Sequence, residues 1–447
     1  MPALFAQLAD RLVRPQDCLP PSTGGRVYRC VCLRPVFFRN SVCLACRTAL
    51  GYDGALSRIV PIEPAEVPGQ WREAHAPADP GLMAKQAEAG GIRLTDSAPD
   101  AAPDAAAPLP AEPPAADPGR RYVRCGNFGS VAGCNWLIAV DPQGGAVPAM
   151  CTACRMNRTI PDLHVEENKV LWRRTEIAKR RLVSQLLSLG LPVAARGGVD
   201  PRPALTFDFL RAAPGGAHVV TGHSNGLITL DIEEADDVRR EQVRALLHEP
   251  YRTLLGHFRH EVGHYYWDRL VQGTPWQEAF RELFGDERAD YSAALRLNYE
   301  QGPRPDWQLF HVSGYASSHP WEDWAETWAQ YLHMIDIVDT ALSFGLDTVH
   351  VEVETEPFDS ATLWRADQPD AMKFLHFLNT WVELTHMLNE MSRSMGQPDF
   401  YPFILPRAAV AKLQMIHMVV SDVAYPAQMP MPDQAPAAPQ DALPQAA

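Results

Sequence analysis

The chain carries His260-Glu261-Val262-Gly263-His264, two histidines four residues apart with a glutamate between them. On a helix, residues i and i+4 share a face, so both imidazoles can reach one ion while Glu261 stands beside it to handle a proton. This is the HExxH spacing, in which a single helical turn supplies two zinc ligands and a general base. Three polar residues on a surface helix are the plain alternative, so the rest of the chain has to decide. A catalytic zinc also needs a third protein ligand and one position left open. Trp267 and Leu270 stand where the extended HExxHxxGxxH pattern would require glycine and histidine, so the third ligand must come from farther along.

The next stretch with suitable chemistry runs from Ser317 to Ala329 and contains Glu322 and Glu326. Ser317, Ser318 and Pro320 mark a helix start, and Trp321, Trp324, Trp328, Leu332 and Ile335 form an apolar stripe behind it. Glu322 and Glu326 then lie one turn apart on one side. One carboxylate can bind the ion while the other accepts the N–H of a metal-bound histidine. Glu322 is assigned to the metal and Glu326 to the histidine, the alternative being a solvated acidic face near a helix N-terminus. Tyr315, seven residues before Glu322, can place a phenol near the ion to stabilise an oxyanion, or it can be a packed loop tyrosine. Asp286, Glu287 and Asp290, with Arg288 between them, read as an ordinary helix-start cluster. His248 and His257 read as polar contacts, His257 being the one to watch because it precedes His260 by one turn.

All nine cysteines lie before residue 155, and six of them form CxC or CxxC pairs. Cys30, Cys32, Cys43 and Cys46 supply four thiolates in two knuckles, the arrangement of a zinc ribbon. A unit this small buries too little apolar surface to fold alone, so Zn–S bonds would supply much of its stability. Cys125, Cys134, Cys151 and Cys154 repeat the theme with a looser first pair, and Trp136 to Val140 reads as a strand between them. Cys18 is left over and reads as a free buried thiol.

These motifs need elements to hold them. The helix of the two histidines is expected to start near Pro250, with Leu254, Leu255, Phe258, Val262 and Tyr265 on its core face, and Gly263 leaves room for a neighbouring backbone. Leu171, Ala178, Leu182, Leu186 and Leu189 recur at helical spacing and stop at Gly190. His218 to His223 and Leu227 to Ile232 read as strands joined by Asn225-Gly226, and such a hairpin beside the metal helix offers an edge for an extended substrate. Met372 to Met395 and Pro406 to Val420 read as amphipathic helices. Arg155, Arg158, Arg173, Arg174, Lys179, Arg180 and Arg181 read as a solvated helix face. With helices dominating and short strands in the ribbons and the hairpin, the expected class is α+β. The expected division is a ribbon at 1–72, an Ala/Pro-rich acidic disordered linker at 73–119 separating two modules, and a second ribbon-like module at 120–164. A zinc-binding catalytic domain follows at 165–425, with a disordered tail at 426–447.

Composition limits the function. Forty basic against 54 acidic residues give a net charge of −14, which argues against broad binding to nucleic-acid backbones or anionic lipid. No apolar run of signal-peptide or membrane-spanning length is present, so a soluble cytoplasmic protein is expected.

Several longer stretches resemble the bacterial zinc-binding metallopeptidase family that carries an N-terminal zinc ribbon. They are residues 157–163, 221–229, 256–267, 285–288 and 320–329. The resemblance implies a mainly helical, zincin-like peptidase domain of gluzincin type. In it His260, His264 and Glu322 are zinc ligands and Glu261 is the base. The Tyr315, Glu322 and Glu326 spacing is also similar to that of lethal-factor-type gluzincins, which favours Tyr315 as the oxyanion partner. The expected complement is one catalytic and two structural zinc ions, with a peptide or protein substrate and the ribbons available to bind a protein partner. The competing expectation is a zinc-ribbon binding or scaffold protein whose zincin-like domain is inactive.

Overall fold

A computed structural model describes residues 4–13, 26–75, 119–193, 200–246 apart from 201, 214 and 217, residue 249, 251–346 and 356–424. Cys18, His248, Pro250, the 426–447 tail and nearly all of the expected linker lie outside the described residues.

The chain opens with α1 (Leu4–Val13) and the two-stranded hairpin β1 (Val27–Arg29) and β2 (Pro35–Phe37). Five strands then form one antiparallel sheet in sequence order: β3 (Ala49–Asp53), β4 (Arg58–Pro64), β5 (Trp71–Glu73), β6 (Arg121–Arg124) and β7 (Leu137–Ala139). β5 and β6 stand on opposite sides of the expected linker, yet Trp71 pairs with Tyr122 and Arg72 with Arg121. The stretch between them is therefore an insertion within one sheet and does not separate two modules. Aromatic residues on both sides explain the joining: Phe38 packs edge-on against Tyr52, Tyr52 lies tilted against Trp136, and Asn135 donates to the carbonyls of Phe38 and Asn40.

The short helix α2 (Thr152–Arg155) leads into β8 (Asn157–Thr159), which joins a second sheet in the order β10-β11-β9-β8, with β9 at Thr206–Leu210, β10 at Gly222–Ser224 and β11 at Leu227–Asp231. β10 and β11 form the expected hairpin. Asn225 and Gly226 both take positive φ there, the requirement of a tight primed turn.

α3 (Glu166–Ser188) stops at Gly190, whose φ of +73° closes the helix. It is followed by α4 (Asp237–Leu246), then α5 (Leu254–Leu270), which carries the two histidines. α5 starts later than Pro250 because Thr253 supplies the cap, its hydroxyl accepting from the Gly256 N–H. α6 (Trp276–Phe284), α7 (Tyr291–Gln301) and α8 (Trp307–Phe310) lead to α9 (Pro320–Ser343), and α10 (Ala371–Ser394) and α11 (Arg407–Ala424) complete the helical part. The architecture is α+β, with the ribbon region before a helical domain.

The basic run around α3 is the expected solvated face only in part: Arg155, Arg158, Arg173 and Arg174 are exposed, but the residues that follow turn inward. Lys179 and Arg180 are buried and both pair with Glu176, at 2.6 and 3.4 Å. Arg158 pairs with Asp208, Arg174 with Asp237, and Arg181 with Asp336. Lys179 and Arg180 lie on the packed side of α3 and meet Glu176 there, whereas Arg174 and Asp237 pair at the surface. Asp336 gathers Arg26, Arg181 and Arg259 at 2.7–2.9 Å, linking the residue before β1 to α3, α5 and α9. Burial alone would raise its carboxyl, but the three guanidinium groups hold it well below the usual carboxylate range.

Candidate metal centres

Two sets of four cysteines converge. Cys30, Cys32, Cys43 and Cys46 place their sulfurs within 4.8 Å of one another, and so do Cys125, Cys134, Cys151 and Cys154. Neighbouring sulfurs lie 3.5–3.7 Å apart. A disulfide would bring them to about 2.0 Å, whereas a tetrahedral ion with Zn–S bonds of about 2.3 Å sets them about 3.8 Å apart. The donors therefore fit a structural zinc in each cluster. Tight turns aim them: Leu33 and Arg47 take φ of +63°, and backbone bonds from Leu33 to Cys30 and Arg47 to Cys43 close the two knuckles.

The third cluster is built where α5 crosses α9. Gly263 makes the crossing close, because a Cβ there would lie 2.9 Å from the Ala325 Cα and 3.2 Å from the Trp328 Cβ. The Trp324 indole donates to the Gly263 carbonyl at 2.9 Å and fixes the register between the helices. Phe258, Val262, Tyr266, Trp324, Trp328 and Leu332 are buried at this seam, each contributing about 1.5–3 kcal/mol of burial. α9 begins at Pro320 with His319 as its cap, the ring nitrogen accepting from the Trp321 N–H. That start puts Glu322 and Glu326 toward α5.

The crossing brings His260 Nε2, His264 Nε2 and Glu322 Oε2 together, at 3.2 Å between the nitrogens and 3.0 and 3.6 Å from each to the carboxylate. Four-coordinate zinc with ligands about 2.0–2.1 Å away separates its donors by about 3.3 Å. His260 Nδ1 donates to Glu326 Oε1 at 2.7 Å, and the Ser313 hydroxyl holds the other Glu326 oxygen at 2.7 Å. That bond leaves the His260 Nε2 lone pair facing the other two donors. Three lone pairs aimed at one point repel unless a cation lies between them. Without a metal a proton takes that place: burial alone would lower His260, but Glu322 and Glu326 raise it well above the usual imidazole range. Burial alone would raise Glu322, and His264 and His260 hold it well below the carboxylate range. The residues present fit a zinc ion with one position free.

Glu261 is buried beside the cluster with Oε2 unpartnered, and burial raises its carboxyl. Tyr315, on the turn Tyr315–Ser317, lies with its ring centroid 6.0 Å from that of His260. Burial first, and then the charge of Glu322, raises its phenol far above the ordinary value. His257 stands outside the cluster, 3.5 Å from Glu234. Asp290 caps α7 by accepting from the Ala293 N–H, and Glu287 pairs with Arg281, so that acidic group makes helix-start and ion-pair contacts. Two contacts were not anticipated from sequence. The Tyr291 hydroxyl donates to Glu322 Oε1 at 2.5 Å, and the Trp321 ring lies over His264 at 3.9 Å. Trp321 was visible as part of the apolar stripe. Tyr291 carried no signal, since it lies outside both helices that supply the ligands.

A family model described as "Putative zinc-binding metallo-peptidase" matches residues 168–419. A zinc-ribbon domain model matches residues 27–90 and 108–165, spanning the same interruption that the shared sheet bridges. Proteins of Mycobacterium tuberculosis and Mycobacterium bovis, described as uncharacterized, are 44% identical over 301 residues, covering 67% of this chain and 83% of theirs. No solved structure matches the chain. Among the described residues, no helix is long and apolar enough to cross a membrane.

Proposed function

The chain belongs to the zinc-binding metallo-peptidase family that its residues 168–419 match, and on that premise we propose that it hydrolyses peptide bonds at the His260, His264 and Glu322 cluster. The observation that carries this reading is the approach of three buried or half-buried donors to 3.0–3.6 Å, with an unpartnered glutamate beside them. A zinc ion held there would supply Lewis acidity, polarising the scissile carbonyl and acidifying the attacking water. The protein's own groups do the rest. Glu326 fixes the tautomer of His260 by accepting its Nδ1 proton. Glu261, raised by burial toward the pH at which it works, takes the proton from water and delivers it to the leaving amine. Tyr315 stays protonated and donates to the oxygen on which negative charge develops. The two cysteine clusters hold structural zinc, giving three ions in all.

Glu261→Gln tests the assignment with fluorogenic peptides or an unfolded protein as substrate. Hydrolysis is expected to fall by about 10²–10⁴-fold while zinc content stays at three, and unchanged turnover would overturn it. Elemental analysis of a His260→Ala variant separately reads the site: about three zinc ions per chain should become about two. Full retention would defeat the metal assignment, and loss of zinc without any hydrolysis in the parent protein would favour the scaffold reading.

A further inference from the structure

α7 is an unusual neighbour for a metal centre, because none of its side chains is buried. Its first residue nevertheless reaches the deepest carboxylate of the site. Tyr291 is 37% exposed, while Glu322, to which its hydroxyl donates at 2.5 Å, is 1% exposed. The phenol is aimed from two sides. Its ring stands edge-on to His319 at 5.2 Å and to Trp321 at 5.8 Å, the residues flanking the first position of α9. Behind it, the His319 ring lies 3.1 Å from the Ala289 carbonyl, and Asp290 caps α7 through the Ala293 N–H. The starts of α7 and α9 are thus fastened to each other, with Tyr291 at the junction.

The two oxygens of Glu322 have different surroundings. Oε2 faces both histidine nitrogens, whereas Oε1 is taken by Tyr291. A free carboxylate can hold a cation through both oxygens, which would fill the position that a catalytic centre leaves for water. An O–H donor on one oxygen removes that choice. We propose that Tyr291 is a positioning residue that holds Glu322 to single-oxygen ligation by donating its phenol proton to Oε1. The inference rests on the reading of His260, His264 and Glu322 as a zinc site. It also divides the labour of two tyrosines: Tyr291 acts on the ligand, and Tyr315 acts on the substrate.

Tyr291→Phe removes one oxygen from a half-exposed ring and leaves the packing against His319 and Trp321 in place. Competition with a chromophoric chelator should show zinc affinity at this one site falling 10- to 100-fold. The ribbon zinc content and the thermal midpoint should be unchanged. Cobalt substituted into the site should show an altered d–d spectrum as the carboxylate changes its mode of ligation. Tyr315→Phe, in contrast, should leave affinity and spectrum as they are. Unchanged affinity and an unchanged cobalt spectrum in Tyr291→Phe would overturn the proposal. Glu322→Gln separates the two levels of argument. If it too retains all its zinc, the metal-site reading has failed; if it loses one ion while Tyr291→Phe binds normally, only the role of Tyr291 has failed.

Discussion

The cysteine clusters and the histidine cluster solve the same problem in opposite ways. Each cysteine set supplies four sulfurs from turns and short elements, closing all four positions of a tetrahedral ion. The histidine set supplies three donors from two long helices, and Gly263, Trp324 and Trp328 lock those helices together without reference to any ion. In the ribbon region the sulfurs sit on turns and short strands, so metal bonds would supply much of the local order even though Tyr28, Phe38, Tyr52 and Trp136 join the same core as the helices. At the crossing of α5 and α9 packed side chains hold the three donors in place, so the proposed catalytic centre would not need a fourth protein ligand to stay folded. The comparison implies that losing a ribbon ligand should damage the fold, whereas losing a helix ligand should damage only the site.

The largest effect is expected from Cys134→Ser. Cys134 is fully buried, and its neighbours Asn135 and Trp136 join the second cysteine cluster to the first ribbon's Phe38 and Tyr52. Loss of soluble protein or of a cooperative melt should follow, because structural zinc binding contributes folding energy directly. A melt matching that of the parent would break the comparison. Asp336→Asn comes next. It strands Arg26, Arg181 and Arg259 without their shared carboxylate, and breaking a buried ion pair of this kind costs about 3–5 kcal/mol. The denaturant midpoint should drop with all zinc retained, which would show that ion pairs and packing hold the helical region. Gly263→Ala should cost about 1–3 kcal/mol through overpacking against Ala325 and Trp328. It should also weaken zinc binding, because the helices carrying His260 and Glu322 must move apart.

Legibility in the sequence followed the reach of each signal. Periodicity and caps marked the helices of His260, of Glu322 and of residues 371–394 and 407–424, because those signals lie within the elements they describe. Asn225-Gly226 marked its hairpin for the same reason. Cysteine spacing marked two four-sulfur sets, but it could not say that Trp71 pairs with Tyr122 across the insertion, since strand pairing between distant segments leaves no local trace. The basic run around α3 is legible only in part: Arg155, Arg158, Arg173 and Arg174 are exposed as a solvated face requires, but composition reports charge and not the burial of Lys179 and Arg180. Glu176 meets Lys179 and Arg180 at i,i+3 and i,i+4 spacing within α3 itself, whereas Asp336 reaches Arg181 from a position that only the tertiary fold brings close. Tyr291 was missed on similar grounds: thirty-one residues separate it from Glu322, and no spacing rule links a lone tyrosine to a carboxylate at that distance.

The smallest effect tests the claim that the open centre needs its ion for chemistry more than for folding. In the metal-free protein the cation between the three donors is the proton on His260, raised by Glu322 and Glu326. A group whose folded pKa is raised contributes stability fully below its unfolded value, about 6.5 for histidine, and loses it as pH rises through the folded value. Glu322 and Glu326 are lowered, so their contributions are present above about 4.3 and vanish as pH falls. A protein stripped of this one zinc, with both ribbons still loaded, should therefore be most stable between those limits. Above about 6.5 it should lose at most about 1.4 kcal/mol per pH unit from His260. The fully loaded protein should lack that alkaline slope, because bound zinc already keeps His260 unprotonated throughout. Thermal melts of the two forms from pH 5 to 9 measure the difference. Parallel curves would mean that the three donors carry no shared proton, and that the helices hold them apart in a way the distances do not suggest.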